Sequence, residues 1–269
     1  MDIFIKNEIK SYLEKTIRDY LIKRQKKLKK ERSFHVLDYL FPTERRIRSL
    51  IGGMETSMGT KVWELSAELL ARHNNFEILD NRLLAPDPMP IEMQNKLAEL
   101  ERLRKDKRHT ISMKECVNQI QEVAQHIDRS KLKFIKPPSG TGIDLYISKN
   151  GCEYAFDIKT AQPNRGDGAR FNRQLLDWYI YRYCKDPLAS FEARIAIPFN
   201  PYITKNKTWW ESSGAKVYPL MEDEVLVEDE FWSFLSDEND TWQEIHQIFF
   251  ELGEENFGQQ FNSIFYSQD

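Results

Sequence analysis

The chain has 269 residues, of which 41% are hydrophobic and 30% charged, and a formal net charge of −3. That length can bury a large core in one elaborated domain or two, and the composition is ordinary for a soluble globular protein. No apolar run reaches the roughly 20 residues of a membrane span, the N-terminus lacks a signal-peptide pattern, and Cys116, Cys152 and Cys184 are isolated, which points to a reduced cytoplasmic protein.

Charge is unevenly spread. Residues 1–48 carry 14 Lys and Arg against 7 Asp and Glu, whereas residues 211–269 carry 1 against 15. A basic arm suits contact with DNA phosphates. The plainer reading is a pair of solvated surfaces that attract each other.

In chain order, residues 3–32 read as an amphipathic helix. Ile5, Ile9, Leu13, Ile17, Leu21 and Leu28 form its apolar stripe, and residues 23–32 make its end strongly basic. Gly52-Gly53 reads as a break, with a second helix starting after Gly59 and running through Trp63, Glu64 and Ala67 to about Arg72. Pro86, Pro88 and Pro90 mark a stiff connection. Residues 91–128 are helical by composition, and Pro137-Pro138-Ser139-Gly140 closes this helical half.

The next segment carries the chemistry. Asn150-Gly151 is a strong signal for a two-residue hairpin turn, because both positions need positive φ. With those two residues as the loop, Lys149 pairs with Cys152 and Asp144 comes opposite Asp157. Ile143, Leu145 and Ile147 then meet Ile158, Phe156 and Tyr154 on an apolar face. The other face carries Asp144, Asp157 and Lys159, with Gly142 and Ala155 beside them. Like charges directly opposed across strands are destabilising, and a cation between them removes the conflict. Two carboxylates on a rigid strand pair suit Mg²⁺, with Mn²⁺ as a substitute. The Ile158 carbonyl is a third candidate ligand. Lys159 is placed to position or deprotonate an attacking water. The plain alternative is an exposed strand face with one Asp–Lys pair.

Beyond the hairpin, residues 169–184 read as a helix with Phe171, Leu175, Trp178 and Tyr179 on one side. Residues 192–197 read as a strand ended by Pro198, and residues 216–218 as a short strand. Residues 228–235 and 241–252 read as helices packed by Phe231, Trp232, Phe234, Trp242, Ile245, Phe249 and Phe250. The division expected is a mainly helical region over 1–135 and an α/β core with C-terminal helices over 136–269. Gln162, Asn164, Arg165, Arg170 and Arg173 follow the acidic strand, and such amide and guanidinium groups suit the edges of adenine and guanine. Phosphate contacts or plain exposure are the competing readings.

Asp144, Asp157 and Lys159 have the form of the PD-(D/E)XK nuclease signature. The stretches Pro-Pro-Ser-Gly-Thr-Gly-Ile-Asp-Leu-Tyr-Ile and Tyr-Ala-Phe-Asp-Ile-Lys-Thr-Ala-Gln-Pro-Asn resemble the TdeIII-type group of type II restriction endonucleases. So do Thr56-Ser57-Met58-Gly59-Thr60 with Trp63-Glu64, and Gln174-Leu175-Leu176-Asp177-Trp178-Tyr179 with Tyr181-Arg182. Ile197-Pro198-Phe199-Asn200-Pro201-Tyr202 and Glu230-Phe231-Trp232-Ser233-Phe234-Leu235 complete the series, which runs in order from about residue 50 to 255. The resemblance implies a restriction-endonuclease-like α/β core, a central mixed β-sheet flanked by helices, with a helical N-terminal region. It also implies a Mg²⁺-dependent homodimer that cuts double-stranded DNA at a short palindrome, GGNCC-like in some relatives. A cognate DNA methyltransferase is expected in the same system. By the same resemblance Glu64 is a helix acid linked to the metal site. The basic charge of the N-terminal region suits backbone contact, and the apolar stripes of its helix or of the 91–128 helices suit a dimer interface. The competing functions are a structure-specific or repair nuclease of the same fold and a catalytically inactive DNA-binding protein.

Overall fold

Isoleucine and leucine at every fourth position drive the first element. In the computed structural model, which describes residues 1–28, 35–79, 83–160, 162–202 and 207–266, α1 (Ile3–Leu28) buries Ile5, Ile9, Leu13 and Leu21. The expected continuation over residues 29–32 lies outside the described residues, as does the side chain of Leu28.

A single helical run follows where a break at Gly52-Gly53 is expected. α2 (Pro42–Met58) passes through a π-helical turn, Gly59–Trp63, into α3 (Glu64–His73). Glycine inside a helix costs roughly 1 kcal/mol relative to alanine, and packing explains its use at one of the two positions. A Cβ on Gly53 would run into the Tyr20 hydroxyl of α1, whereas Gly52 faces open space. The later elements are β1 (Glu77–Ile78), β2 (Ala85–Asp87), α4 (Ile91–Lys105), α5 (Met113–Gln125), β3 (Lys133–Ile135), β4 (Leu145–Lys149) and β5 (Cys152–Ile158). They continue with α6 (Asp167–Lys185), β6 (Ser190–Ile197), α7 (Trp209–Val217), β7 (Val225–Val227), α8 (Asp229–Ser236), α9 (Thr241–Glu254) and α10 (Asn262–Phe265).

The chain divides into two compact units, Met1–Leu70 with Trp232–Asp269, and Ala71–Phe231. This differs from a boundary at 135/136, because the N- and C-terminal helices share one unit. In that unit Trp63 stacks on Phe249 at 5.7 Å and meets Trp232 at 6.0 Å. Of the aromatics expected in the core, Phe250 is instead 56% exposed. The opposite charges of the two chain ends meet here. The N-terminal amine lies 2.9 Å from Glu238 and 3.3 Å from Glu244, Lys6 lies 3.4 Å from Glu251, and Lys10 lies 2.9 Å from Glu255. Part of the basic helix is thus occupied by α9 and the turn before it.

The second unit holds a mixed five-stranded sheet among the described residues, in the order β1-β4-β5-β6-β7. β1, β4 and β5 are antiparallel neighbours, and β5, β6 and β7 are parallel ones. The β4–β5 hairpin turns at Asn150 (φ 54°) and Gly151 (φ 79°), and Lys149 pairs with Cys152 as the turn chemistry requires. The crossover from β5 to β6 is α6, whose Phe171, Leu175, Trp178 and Tyr179 are buried in one core with Ala155, Phe191 and Ala193. The helical stretch 91–128 is two helices, and a Ser112/Glu115 capping box restarts it as α5. β2 and β3 pair in a separate two-stranded ribbon, so the proline-rich connection is partly a strand.

Residues 216–218 are not a strand. Val217 ends α7, which begins at a Thr208/Glu211 capping box, and the strand pairing with β6 is β7. The unit also buries an ion pair, Arg104 with Glu224. Arg104 donates to Glu224 Oε1 at 2.8 Å, Asn172 Oδ1 at 2.7 Å and the carbonyls of Ile111 and Pro219 at 3.0 and 3.2 Å. Removing one partner strands the other charge in the interior. Glu224→Gln is expected to lower the unfolding free energy by about 3–5 kcal/mol, measured by urea denaturation. Gly151→Val forces a β-branched residue to positive φ and is expected to cost about 1–3 kcal/mol in the same assay.

Candidate active site

Strand pairing brings the two aspartates together, although not as a regular ladder pair. The paired register ends at Leu145–Phe156. One residue earlier, the Asp144 N–H donates to the Phe156 carbonyl at 3.0 Å, and the chain bends. Asp144 is thereby freed from the ladder, and its Oδ2 accepts the Ile158 N–H at 2.8 Å. Asp157 is in β5, only 3% exposed, where β5 is flanked by β4 on one side and β6 on the other.

Lys159 follows the end of β5, and its N–H donates to the Ala196 carbonyl at 2.8 Å. Its ammonium donates to Asp157 Oδ1 at 2.8 Å. Asp157 Oδ2 is buried, makes no hydrogen bond of its own and lies 2.6 Å from the same ammonium, and the Asp157 carboxyl also meets that of Asp144. Lys159 also sits 5.8 Å over the Phe171 ring of α6.

These surroundings act on Asp144. Burial and then the neighbouring Asp157 charge push its carboxyl up to about 6, while the Ile158 N–H and Lys159 pull the other way. Among the described residues no cluster of three or more His, Cys, Asp or Glu side chains suited to a metal is present. Asp144 and Asp157 supply two carboxylates and the adjoining backbone supplies carbonyls, and Mg²⁺ commonly completes such a set with water and phosphate.

The sequence profile of the HinfI type II restriction endonuclease family matches residues 5–253. The chain belongs to this family. The type II restriction enzyme HgiEI of Herpetosiphon aurantiacus is 29% identical over 148 residues, covering 55% of this chain and 50% of that enzyme. HgiCII, a type II restriction enzyme of the same organism, is 28% identical over 151 residues, covering 56% and 51%. The chain spans about half the length of the curated relatives it matches. No solved structure matches it. The restriction-endonuclease class read from the motifs is the class of this match, and the type matched is HinfI.

Within this HinfI-family chain the other expected site residues are scattered by role. Glu64 lies in the first unit, half-buried at the start of α3 directly after the π-helical turn. Gln162 serves the fold, since its Oε1 accepts the Trp209 indole N–H at 2.8 Å and its Nε2 donates to the Phe199 carbonyl at 3.5 Å. Arg170 pairs with Asp167 at 2.9 Å, and Arg173 with Asp177 at 2.9 Å and Glu101 at 3.2 Å. Asn164 and Arg165 have exposed side chains in the turn before α6.

The motif on α6 gains a physical meaning that spacing alone does not reveal. Trp178 donates its indole N–H to the Thr141 carbonyl at 2.9 Å, three residues before Asp144. Tyr179 Oη accepts the Ala193 N–H at 3.0 Å. Arg182 grips Glu153 of β5 with two hydrogen bonds, at 2.6 and 2.8 Å, and Tyr146 of β4 donates to the same carboxylate. Burial opposes ionisation of Glu153, but these donors hold its carboxyl below the usual range. The helix thus clamps both strands and the turn that leads into Asp144.

Because Asp144 titrates above its ordinary 3.8, the folded protein keeps this proton at pH values where the unfolded chain has lost it. The Asp144 contribution to the stability of metal-free protein is therefore expected to fall as pH rises from about 4 to about 6, so that Asp144→Asn gains on the wild type across that range. Thermal midpoints across this range, compared between the two proteins, check the sign.

Proposed function

We propose that the chain hydrolyses phosphodiester bonds of double-stranded DNA at a short palindromic site, as a PD-(D/E)XK nuclease dependent on Mg²⁺, with Mn²⁺ as a substitute. The observation that carries this reading is the close placement of Asp144, Asp157 and Lys159. A buried carboxylate oxygen without a hydrogen bond, beside a second carboxyl of raised pKa, is a set that a hard divalent cation satisfies. Asp144 and Asp157 would hold the ion. The Ile158 carbonyl is the third proposed ligand, because the N–H and C=O of one strand residue leave on the same edge and its N–H already meets Asp144. When bound, the ion supplies charge neutralisation at phosphate and a more acidic water.

The chain's own groups do the remaining work in this reading. The Ile158 N–H fixes the orientation of the Asp144 carboxylate. Lys159, held at Asp157 and over Phe171, presents an ammonium to the attacking water and to the charge that develops on phosphate. Glu64 is proposed as an acid required for cleavage on the strength of its motif. Asn164 and Arg165 are the stronger candidates for base contact, since Gln162, Arg170 and Arg173 have partners within the fold. A palindrome presents two equivalent strands, which a C₂ homodimer meets with two equivalent sites. A cytoplasmic setting and a methyltransferase acting on the same site belong to the proposal.

The test is digestion of unmethylated phage DNA with Mg²⁺, beside an EDTA control and Asp157→Ala. Discrete fragments that vanish in both controls are expected, with the variant slowed about a hundredfold or more while still folded. Cutting by Asp157→Ala at the wild-type rate would sink the site assignment. A smear in place of bands would replace sequence specificity with recognition of DNA shape.

A further inference from the structure

The connection between α4 and α5 exposes Lys107, Arg108 and His109 directly after the exposed Lys105 that ends α4. Its backbone is firmly held. Asp106 accepts the Arg108 N–H on its carboxylate at 2.9 Å and the Thr110 hydroxyl on its carbonyl at 2.6 Å. The buried Arg104 donates to the Ile111 carbonyl at 3.0 Å. The Tyr218 hydroxyl donates to the Arg104 carbonyl at 3.2 Å and lies 3.2 Å from Thr110 Oγ1. Lys105 lies 3.9 Å from Glu101, and His109 3.9 Å from Asp106. Lys107 and Arg108 form no ion pair among the described residues, and the Lys107 ammonium sits 5.5 Å over the Tyr218 ring.

The same tyrosine joins the loop to the candidate active site. A Cβ on Gly168, in the first turn of α6, would run into the Tyr218 carbonyl, so the helix and this backbone are in direct contact. Three residues on, about 5 Å along the helix axis, the Phe171 ring carries the Lys159 ammonium at 5.8 Å and the Arg170 guanidinium at 5.2 Å. Cations therefore run from Lys159 past Arg170 to Lys107 on linked packing contacts. Like charges fixed along one surface repel each other until an anion lies over them. Duplex DNA is an anion of matching form, with one charge per roughly 1.7 Å of its axis. A duplex seated at Lys159 brings its neighbouring phosphates toward this surface. We propose that Lys107 and Arg108 contact the phosphates of bound duplex DNA, holding it against Lys159 without reading its sequence. This rests on the nuclease reading above.

The test uses a Lys107→Gln, Arg108→Gln double variant. A Lys131→Gln, Lys133→Gln control removes the same charge beyond the far end of α5. Binding of a labelled duplex of arbitrary sequence is followed by fluorescence polarisation in EDTA, from about 50 to about 200 mM NaCl. The expected result is affinity about tenfold weaker at low salt and a salt slope shallower by about 1–2, as for one or two lost phosphate contacts, with the control unchanged. The fragment pattern on phage DNA with Mg²⁺ is expected to stay that of the wild type. Wild-type affinity and slope in the variant would overturn the proposal, as would an equal loss in the control. Cutting at additional, related sites would also overturn it, because the pair would then be reading bases. A wild type that binds duplex but cuts nothing with Mg²⁺ or Mn²⁺ would sink the nuclease reading alone, since the loop is judged by binding.

Discussion

Two carboxyl groups of the same sign are held together at the end of a hairpin, and much of the second unit is arranged to bear that contact. A two-residue turn sets the register, and the ladder stops one step short so that Asp144 can bend toward the Ile158 N–H. Lys159 offsets part of the repulsion from the Asp157 side. α6 covers the face of the hairpin and ties its strands through Arg182 and Glu153. Left loose, two acids would separate and take up water. A framework this closely bonded prevents that, so the conflict persists in the folded protein, and burial together with the Asp157 charge raises the pKa of Asp144.

Much of this was legible in the sequence because it is local. Positive φ at two adjacent residues, alternation on both sides of the turn and a helical stripe after it are short-range patterns, and β4, β5 and α6 follow them. The bend at Asp144 was not legible, because pairing rules carry a strand onward and give no reason to stop at Leu145. Long-range contacts were also hidden. Arg104 and Glu224 are buried together across 120 positions of sequence, and neither has a local signal that separates it from a surface charge. Gly53 reads as a helix breaker until Tyr20 is seen against it. At residues 216–218 a signal was present, the Thr208/Glu211 capping box, but it lies a full helix upstream of the segment it decides.

Net charge by segment proved a poor guide to surface potential. The basic N-terminal stretch and the acidic C-terminal stretch share one unit, and Lys6 and Lys10 are spent on Glu251 and Glu255. Exposed pairs of this kind are worth roughly 0–1 kcal/mol each, so their chief effect is on field rather than on stability. They take up part of the positive charge that a count over residues 1–48 suggests.

The position of β5 between an antiparallel and a parallel neighbour has a kinetic side. Its pairing with β4 closes a two-residue loop, and isolated hairpins of that kind form in about 1–10 μs. Its pairing with β6 must wait for the whole of α6 to find its place, since non-local contacts incur their loop entropy first. The acids are therefore brought near each other in the fast local step, while the helix that fixes them arrives later. Protons in acidic solution, or cations at neutral pH, would ease that early encounter and so speed the refolding of a site otherwise assembled against its own charge.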